Sequence, residues 1–473
     1  MAPDGSELPS SSVASPGKSN TTQWTNVPRG ASGSSTTKAK AAVPAGTPFQ
    51  ANGGGWPPPS HVNRAGIDWP SAKASLLTLI TWDAATAVSS LDEVCAVAGR
   101  VRQGKQQHVS MRDAHHQRLM KRIAMKPCEH CGCTAIGGFL PNTSAVLYAA
   151  GDLRIEDRPE PEPVEGEVLV EVAAVGICGS DVHYYDHGRI GGYIVVDPMI
   201  VGHESAGVIV DVGPGVDPGR IGQLVALEPG VPCRSCPQCL VGRYNLCPNV
   251  RFFATPPIDG SISRLVAIDA AFAHPAPEGL TAEQAAMAEP VSVGVWAARK
   301  TSIGPGDRVL VTGAGPVGLY AAQVARSFGG DHVTITDVSD FRLAKARELG
   351  LATRQAEEPL TDEFDVLLEC SGAQPALTSG MQAMAPAGRV ALVGMGADSV
   401  SIDVPVVQGR ELTISGVFRY ANTYPLTLQL IASGAVNVTD VISHRFPLAE
   451  TELALTIAKH DPRALKALVL PQA

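Results

Sequence analysis

Two runs of residues have types and spacings that point directly to chemistry. In Arg308-Val-Leu-Val-Thr-Gly313-Ala-Gly315-Pro-Val-Gly318 a short apolar run enters Gly-x-Gly-x-x-Gly, and a helix-compatible stretch, 319–328, follows. A second apolar run, 333–336, ends in Asp337, 19 residues after Gly318. This order suits a dinucleotide. Gly313 allows the tight turn, Gly315 lets backbone amides approach a pyrophosphate, Gly318 permits close helix packing, and the helix N-terminus faces the phosphates. Asp337 would accept the ribose 2′-hydroxyl and repel a 2′-phosphate, which selects NAD. A glycine turn in some other α/β unit is the alternative. The second run, Cys233-x2-Cys236-x2-Cys239-x7-Cys247, places four thiols within fifteen residues. Four thiolates suit tetrahedral zinc in a closed, structural site, with paired disulfides or an iron–sulfur cluster as the alternatives.

A third constellation is dispersed. Cys178 lies in Gly176-Ile-Cys178-Gly-Ser180-Asp-Val-His183-Tyr184, His203 and Glu204 in Gly202-His-Glu-Ser, and Glu289 in Met287-Ala-Glu289-Pro. One thiolate, one imidazole and one or two carboxylates make an open zinc site with a position left for an alcohol or water. Taken singly, each of these is more often a core or surface residue than a ligand.

Taken together, these motifs resemble the zinc-containing medium-chain dehydrogenase/reductases, and more narrowly their polyol branch of sorbitol and xylitol dehydrogenases. His187-Gly-Arg-Ile-Gly191, Phe253-Ala-Thr-Pro-Pro-Ile-Asp-Gly260 and Gly416-Val-Phe-Arg419-Tyr420-Ala-Asn-Thr-Tyr424-Pro add to the likeness, which spans about 144–473. The resemblance implies an α/β fold with a Rossmann doubly wound domain at 296–417. Around it lies a GroES-like, β-rich catalytic domain in two parts, 144–295 and 418–473, usually in a homotetramer. It implies Cys178, His203 and Glu204 on a catalytic zinc and Cys233, Cys236, Cys239 and Cys247 on a second, structural zinc. Ser180 and His183 would relay the proton, and Glu289 would sit where a second hydroxyl can be bound. Tyr184, Phe253, Arg419 and Tyr420 would line the pocket, and Arg342 would join Gly313, Gly315, Gly318 and Asp337 at the NAD site. The activity implied is oxidation of a polyol's secondary hydroxyl to a ketose. The rivals are a butanediol, threonine or simple alcohol dehydrogenase, and, from another class, a non-catalytic NAD-binding sensor.

The elements that must position these residues are legible in outline. Residues 168–175 read as a strand, and Pro- and Gly-bounded apolar runs recur from Ser144 onward, so ordered structure is expected to begin there. Against the family it resembles, the interval 350–370 is short, and the resemblance therefore implies a trimmed helix or loop in the second half of the nucleotide domain. The 473 residues carry 37 Lys+Arg against 46 Asp+Glu, a net charge of −9, which argues against a nucleic-acid partner. Residues 1–143 hold 14 basic and 8 acidic residues, so the excess of acid lies entirely in the remainder. Residues 1–66 are rich in Ser, Thr, Gly, Pro and Ala and are expected to be disordered. Helix-compatible patches at 72–80 and 112–123 form no sustained stripe, and Cys128-x2-Cys131-x-Cys133 with His130 lacks a second ligand pair at finger spacing. Eight of the ten cysteines fall within 128–178 and 233–247, which favours metal ligation in a reducing compartment over a disulfide framework. No apolar stretch near the start reaches membrane-span length, and the chain is expected to be cytoplasmic, with no membrane partner.

Overall fold

The computed structural model describes residues 141–397 and 399–473. The expectations for a disordered extension, for helical patches at 72–80 and 112–123 and for a metal at 128–133 lie outside the described residues.

Strand β1 (Asn142–Ala149) opens the fold two residues before the expected start. β2 (Glu167–Gly176) is buried on both faces, with Val168, Val170 and Val172 fully inside. β-Branched side chains fit such a pleat, and each fully buried valine contributes about 1.5–3 kcal/mol. The chain leaves β2 through Cys178 into helix α1 (Gly179–His187), which ends at Gly188 with φ +68°. It then returns as β3 (Glu204–Val212) and β4 (Leu224–Leu227). β2 and β3 pair antiparallel with Gly176 opposite Glu204.

Helix α2 (Ala288–Lys300) carries the chain without a break into the nucleotide-binding half. There β5 (Arg308–Thr312), helix α3 (Pro316–Ser327), β6 (His332–Asp337), β7 (Ala352–Gln355), β8 (Phe364–Glu369), β9 (Met384–Leu392) and β10 (Thr413–Gly416) follow. The six strands form a parallel sheet in the order β7-β6-β5-β8-β9-β10. Strand order therefore reverses between β5 and β8, and the crevice at their carboxyl ends is where such sheets bind ligands. The short 350–370 interval has its counterpart here: β7 passes to β8 through residues 356–363 with no helix. Helices α2 and α3 approach closely, because a Cβ at Gly294 would stand 2.9 Å from the Cα of Ala321.

Helix α4 (Tyr424–Ala432) leads back, and β11 (Ile442–Pro447) and β12 (Lys466–Leu470) complete the first sheet. Its path runs Ala273–Pro275, β4, β3, β2, β12, β11, with Leu265–Asp269 also paired to β2. The last strand of the chain thus lies beside the strand that leads to Cys178. Among the described residues no helix is long and apolar enough to cross a membrane.

Candidate active site

The antiparallel register brings the end of β2 to the start of β3. Cys178, two residues past β2, therefore meets His203 and Glu204, and their donor atoms all lie within 4.8 Å of one another. His203 and Glu204 are buried. Room for the Glu204 carboxylate depends on Gly176, where a Cβ would fall 2.0 Å from Oε2.

Two residues not singled out in the sequence hold these donors. Asp181 is fully buried; its Oδ2 accepts the Cys178 N–H at 3.0 Å and its Oδ1 the Gly202 N–H at 3.0 Å. That same Oδ1 lies 3.5 Å from His203 Nδ1, a charge contact and not a hydrogen bond. The only sequence signal for Asp181 is its place three residues after Cys178, as in a capping box. Lys466 on β12 is buried and donates to both Glu204 oxygens at 2.8 and 2.7 Å and to the Ile177 carbonyl at 2.8 Å. No local pattern marks it.

The donor set fits zinc. Burial opposes a charge on His203, yet Asp181 and Cys178 outweigh it and raise the imidazole well above its ordinary value. One thiol, one imidazole and one carboxylate converging match a divalent cation that accepts S, N and O ligands.

Glu289 enters from the first turn of α2, buried, with Oε1 accepting the Tyr420 hydroxyl at 2.7 Å. Burial and the nearby Glu204 push its carboxyl up to about 7 against the opposing pull of His203, Tyr420 and Lys466. Tyr184 is buried on α1, and burial raises its phenol to about 12. Ser180 is half-buried and His183 exposed one turn further on; no hydrogen bond joins them, and His183 packs edge-on to His187 at 4.6 Å.

Arg419 adopts φ +53°, and its guanidinium lies 3.8 Å over the Phe252 ring and 4.8 Å from that of Phe418. Its Nη1 is buried without a hydrogen-bond partner. Phe252 lies beside the site, with its ring 5.8 Å from that of His203. Phe253 donates its backbone N–H to the Pro229 carbonyl, and its half-buried ring packs against the β-domain core. A cavity of about 490 Å³ opens here, lined by Tyr193, Asn245, Cys247, Phe252, Phe418 and Arg419.

A second cavity of about 660 Å³ lies at the β5/β8 crevice and includes Gly313, Gly315, Asp337, Arg342, Cys370 and Ser371. Gly313 has φ +91°, and a Cβ at Gly318 would strike its carbonyl at 1.8 Å. Gly315 caps α3 and has open space where a Cβ would point, a cradle that suits a pyrophosphate at a helix N-terminus. Asp337 accepts the backbone N–H of Ala314 at 2.7 Å and of Ser339 at 2.8 Å, with Arg342 Nη1 3.9 Å away.

Cys233, Cys236, Cys239 and Cys247 converge as free thiols with sulfur separations of 3.4, 3.5 and 4.0 Å. Disulfide sulfurs would be about 2.05 Å apart, while four sulfurs about 2.3 Å from one tetrahedral zinc would be about 3.8 Å apart. The cluster therefore fits a metal and is not disulfide-bonded.

The family model described as Alcohol dehydrogenase GroES-like domain matches residues 164–278, and that described as Zinc-binding dehydrogenase matches 316–433. Sorbitol dehydrogenase of Rattus norvegicus is 41% identical over 331 residues, which cover 67% of this chain and 93% of that protein. Among solved structures, an Escherichia coli oxidoreductase of unknown specificity aligns with TM-score 0.67 and 31% identity over 70% of this chain and 99% of that one. The 2R,3R-butanediol dehydrogenase of Bacillus subtilis aligns with TM-score 0.65 and 27% identity over 70% and 99%.

Proposed function

The chain belongs to the zinc-containing medium-chain dehydrogenase/reductases, in their polyol branch, and from that premise we propose that it oxidises a secondary hydroxyl of sorbitol, xylitol or a similar polyol to the ketose, with hydride transfer to NAD. The observation that carries this reading is the convergence of Cys178, His203 and Glu204 beside a buried Glu289 and an Arg419 with an unmet donor. Bound zinc supplies the Lewis acid that favours ionisation of the substrate hydroxyl, and bound NAD supplies the hydride acceptor.

The chain's own residues do the rest. Cys178, His203 and Glu204 would hold the catalytic zinc, with Asp181 fixing the His203 ring and Lys466 the Glu204 carboxylate. Ser180 would take the hydroxyl proton as it gives up its own, and His183, exposed at the outer turn of α1, would pass a proton on to water. Glu289, oriented by Tyr420, binds a second hydroxyl, a group a simple alcohol lacks. Tyr184 and Phe252 wall the cleft, and Arg419 reaches hydroxyls beyond the reacting carbon. Gly313, Gly315 and Gly318 seat the NAD pyrophosphate, and Asp337 with Arg342 borders its ribose side. The four cysteines would hold a second, structural zinc, giving two per chain in a cytoplasmic homotetramer.

Steady-state kinetics on sorbitol, xylitol, arabinitol, galactitol and 2,3-butanediol, with NAD and NADP in parallel and elemental analysis of the same sample, test this. The expected result is polyol turnover with NAD and two zinc ions per chain. Preference for 2,3-butanediol over every longer polyol would place the chain with the butanediol enzymes instead, and one zinc ion or none would overturn the metal assignment.

A further inference from the structure

The segment that carries Arg419 and Tyr420 is tethered to the four-cysteine lobe. Two non-glycine residues in it, Arg419 at φ +53° and Asn422 at φ +57°, adopt left-handed backbone. That conformation is costly for a residue with a side chain and persists only where surrounding contacts impose it. The contacts come largely from one place, the seven residues between Cys239 and Cys247. The Tyr244 hydroxyl accepts the Asn422 N–H at 2.7 Å, the Gly242 carbonyl accepts Asn422 Nδ2 at 3.0 Å, and Asn245 Nδ2 donates to the Phe418 carbonyl at 2.9 Å.

The Tyr244 hydroxyl is itself fixed. It donates to Glu228 Oε1 at 2.6 Å, so its lone pair is left for Asn422, and Glu228, buried, is held from its other oxygen by His274 Nε2 at 2.7 Å. Arg299 binds the Asn422 carbonyl at 2.8 Å, which closes the clamp from the helix α2 side. Between the two tethered points, Phe418 and Asn422, lie Arg419 over Phe252 and Tyr420 on Glu289. The same seven-residue loop ends in two of the four cysteines, so whatever holds those sulfurs holds the loop.

From this we infer that Tyr244 and Asn245 are positioning residues for Arg419, and that the four-cysteine lobe sets polyol affinity as well as local stability. The inference rests on the polyol reading of Arg419 for its kinetic consequence, but the clamp can be read without it. Tyr244→Phe removes the acceptor for Asn422, and the near-isosteric Asn245→Asp removes the donor to Phe418. Leu240→Ser, an exposed site on the same lobe that touches neither link, is the control.

Hydrogen-exchange mass spectrometry on the full-length enzyme reads the clamp directly. In Tyr244→Phe, Asn245→Asp and Cys247→Ser, peptides covering 418–423 should exchange faster than in wild type, while those of β5, α3 and β6 are unchanged and Leu240→Ser matches wild type. Kinetically, Tyr244→Phe should raise KM for sorbitol roughly three- to tenfold, the equilibrium ratio of one lost hydrogen bond, and leave kcat and KM for NAD nearly constant. In an Arg419→Ala background the same change should have no further effect, since it acts through Arg419. Unchanged exchange at 418–423, or an equal KM effect with and without Arg419, would overturn the inference. Faster exchange in an enzyme that oxidises no polyol would uphold the clamp and remove the polyol reading.

Discussion

Arg419 is a charged side chain set against the rings of Phe252 and Phe418, and its Nη1 has no hydrogen-bond partner among the described residues. Burial lowers the pKa of its guanidinium from the ordinary value, although the group remains charged at any physiological pH. A desolvated donor with nothing to bind is a cost to the free enzyme, and the proposed contact with a polyol hydroxyl would relieve it. Because those hydroxyls lie away from the reacting carbon, the bonds exist in ground and transition states alike and register in KM more than in kcat. Lys carries the charge but not the planar fork, nor the flat face that stacks on Phe252. Arg419→Lys should therefore raise KM for five- and six-carbon polyols, with each lost charge-assisted bond worth about 1.5–3 kcal/mol, or roughly ten- to a hundredfold in kcat/KM. 2,3-Butanediol, too short to reach it, should be nearly indifferent. Parallel kinetics on the two substrates decide the matter, because an equal loss on both would mean that Arg419 acts through structure.

At the scale of elements, the nucleotide site is a strand end facing a helix start. Asp337 closes β6 while its carboxylate accepts the Ala314 N–H from the glycine turn, so one side chain braces the turn and, in the proposed NAD site, would present charge to the ribose. Asp337→Ser should raise KM for NAD and narrow discrimination against NADP, by several kcal/mol at most for a lost charged hydrogen bond and a relieved repulsion. Cofactor-swap kinetics check this, and a variant that kept its full preference for NAD would mean that selection lies elsewhere. This region was legible in the sequence because it is local: strand, glycine turn, helix and acidic residue follow one another within thirty residues. The four cysteines were legible for the same reason. Phe252 was missed because the resemblance points to its neighbour, and successive side chains of an extended segment face opposite ways, so adjacent aromatics meet different surroundings. Asp181 was hidden because its neighbours in sequence explain nothing about Gly202 and His203, which only the β2–β3 register brings to it.

At the scale of the molecule, the chain closes its own active site with its last strand. Ile177 donates its backbone N–H to Ala467 at 2.9 Å, which aligns β12 with the turn into Cys178 and delivers Lys466 to Glu204 across 262 positions of sequence. No motif could have announced this, since Lys466 sits in an otherwise apolar strand and its partner is known only once the sheet order is known. Both groups are almost wholly buried, so each is tolerable only because of the other. Removing one partner of such a pair leaves an uncompensated buried charge, a loss of about 3–5 kcal/mol, whereas removing both can be nearly neutral. Lys466→Met should therefore lower the unfolding midpoint of chelator-treated protein markedly. Adding Glu204→Gln to it should recover most of that loss, because the carboxylate left stranded becomes a neutral amide. Zinc should restore part of the single variant's stability as well, since a dication near Glu204 replaces the missing ammonium, and it should do less for the double variant, which lacks that carboxylate. Thermal denaturation of the three proteins, each with and without zinc, measures these differences. A Lys466→Met protein as stable as wild type without metal would mean that Glu204 finds another partner when β12 no longer supplies one, and that the last strand contributes packing alone.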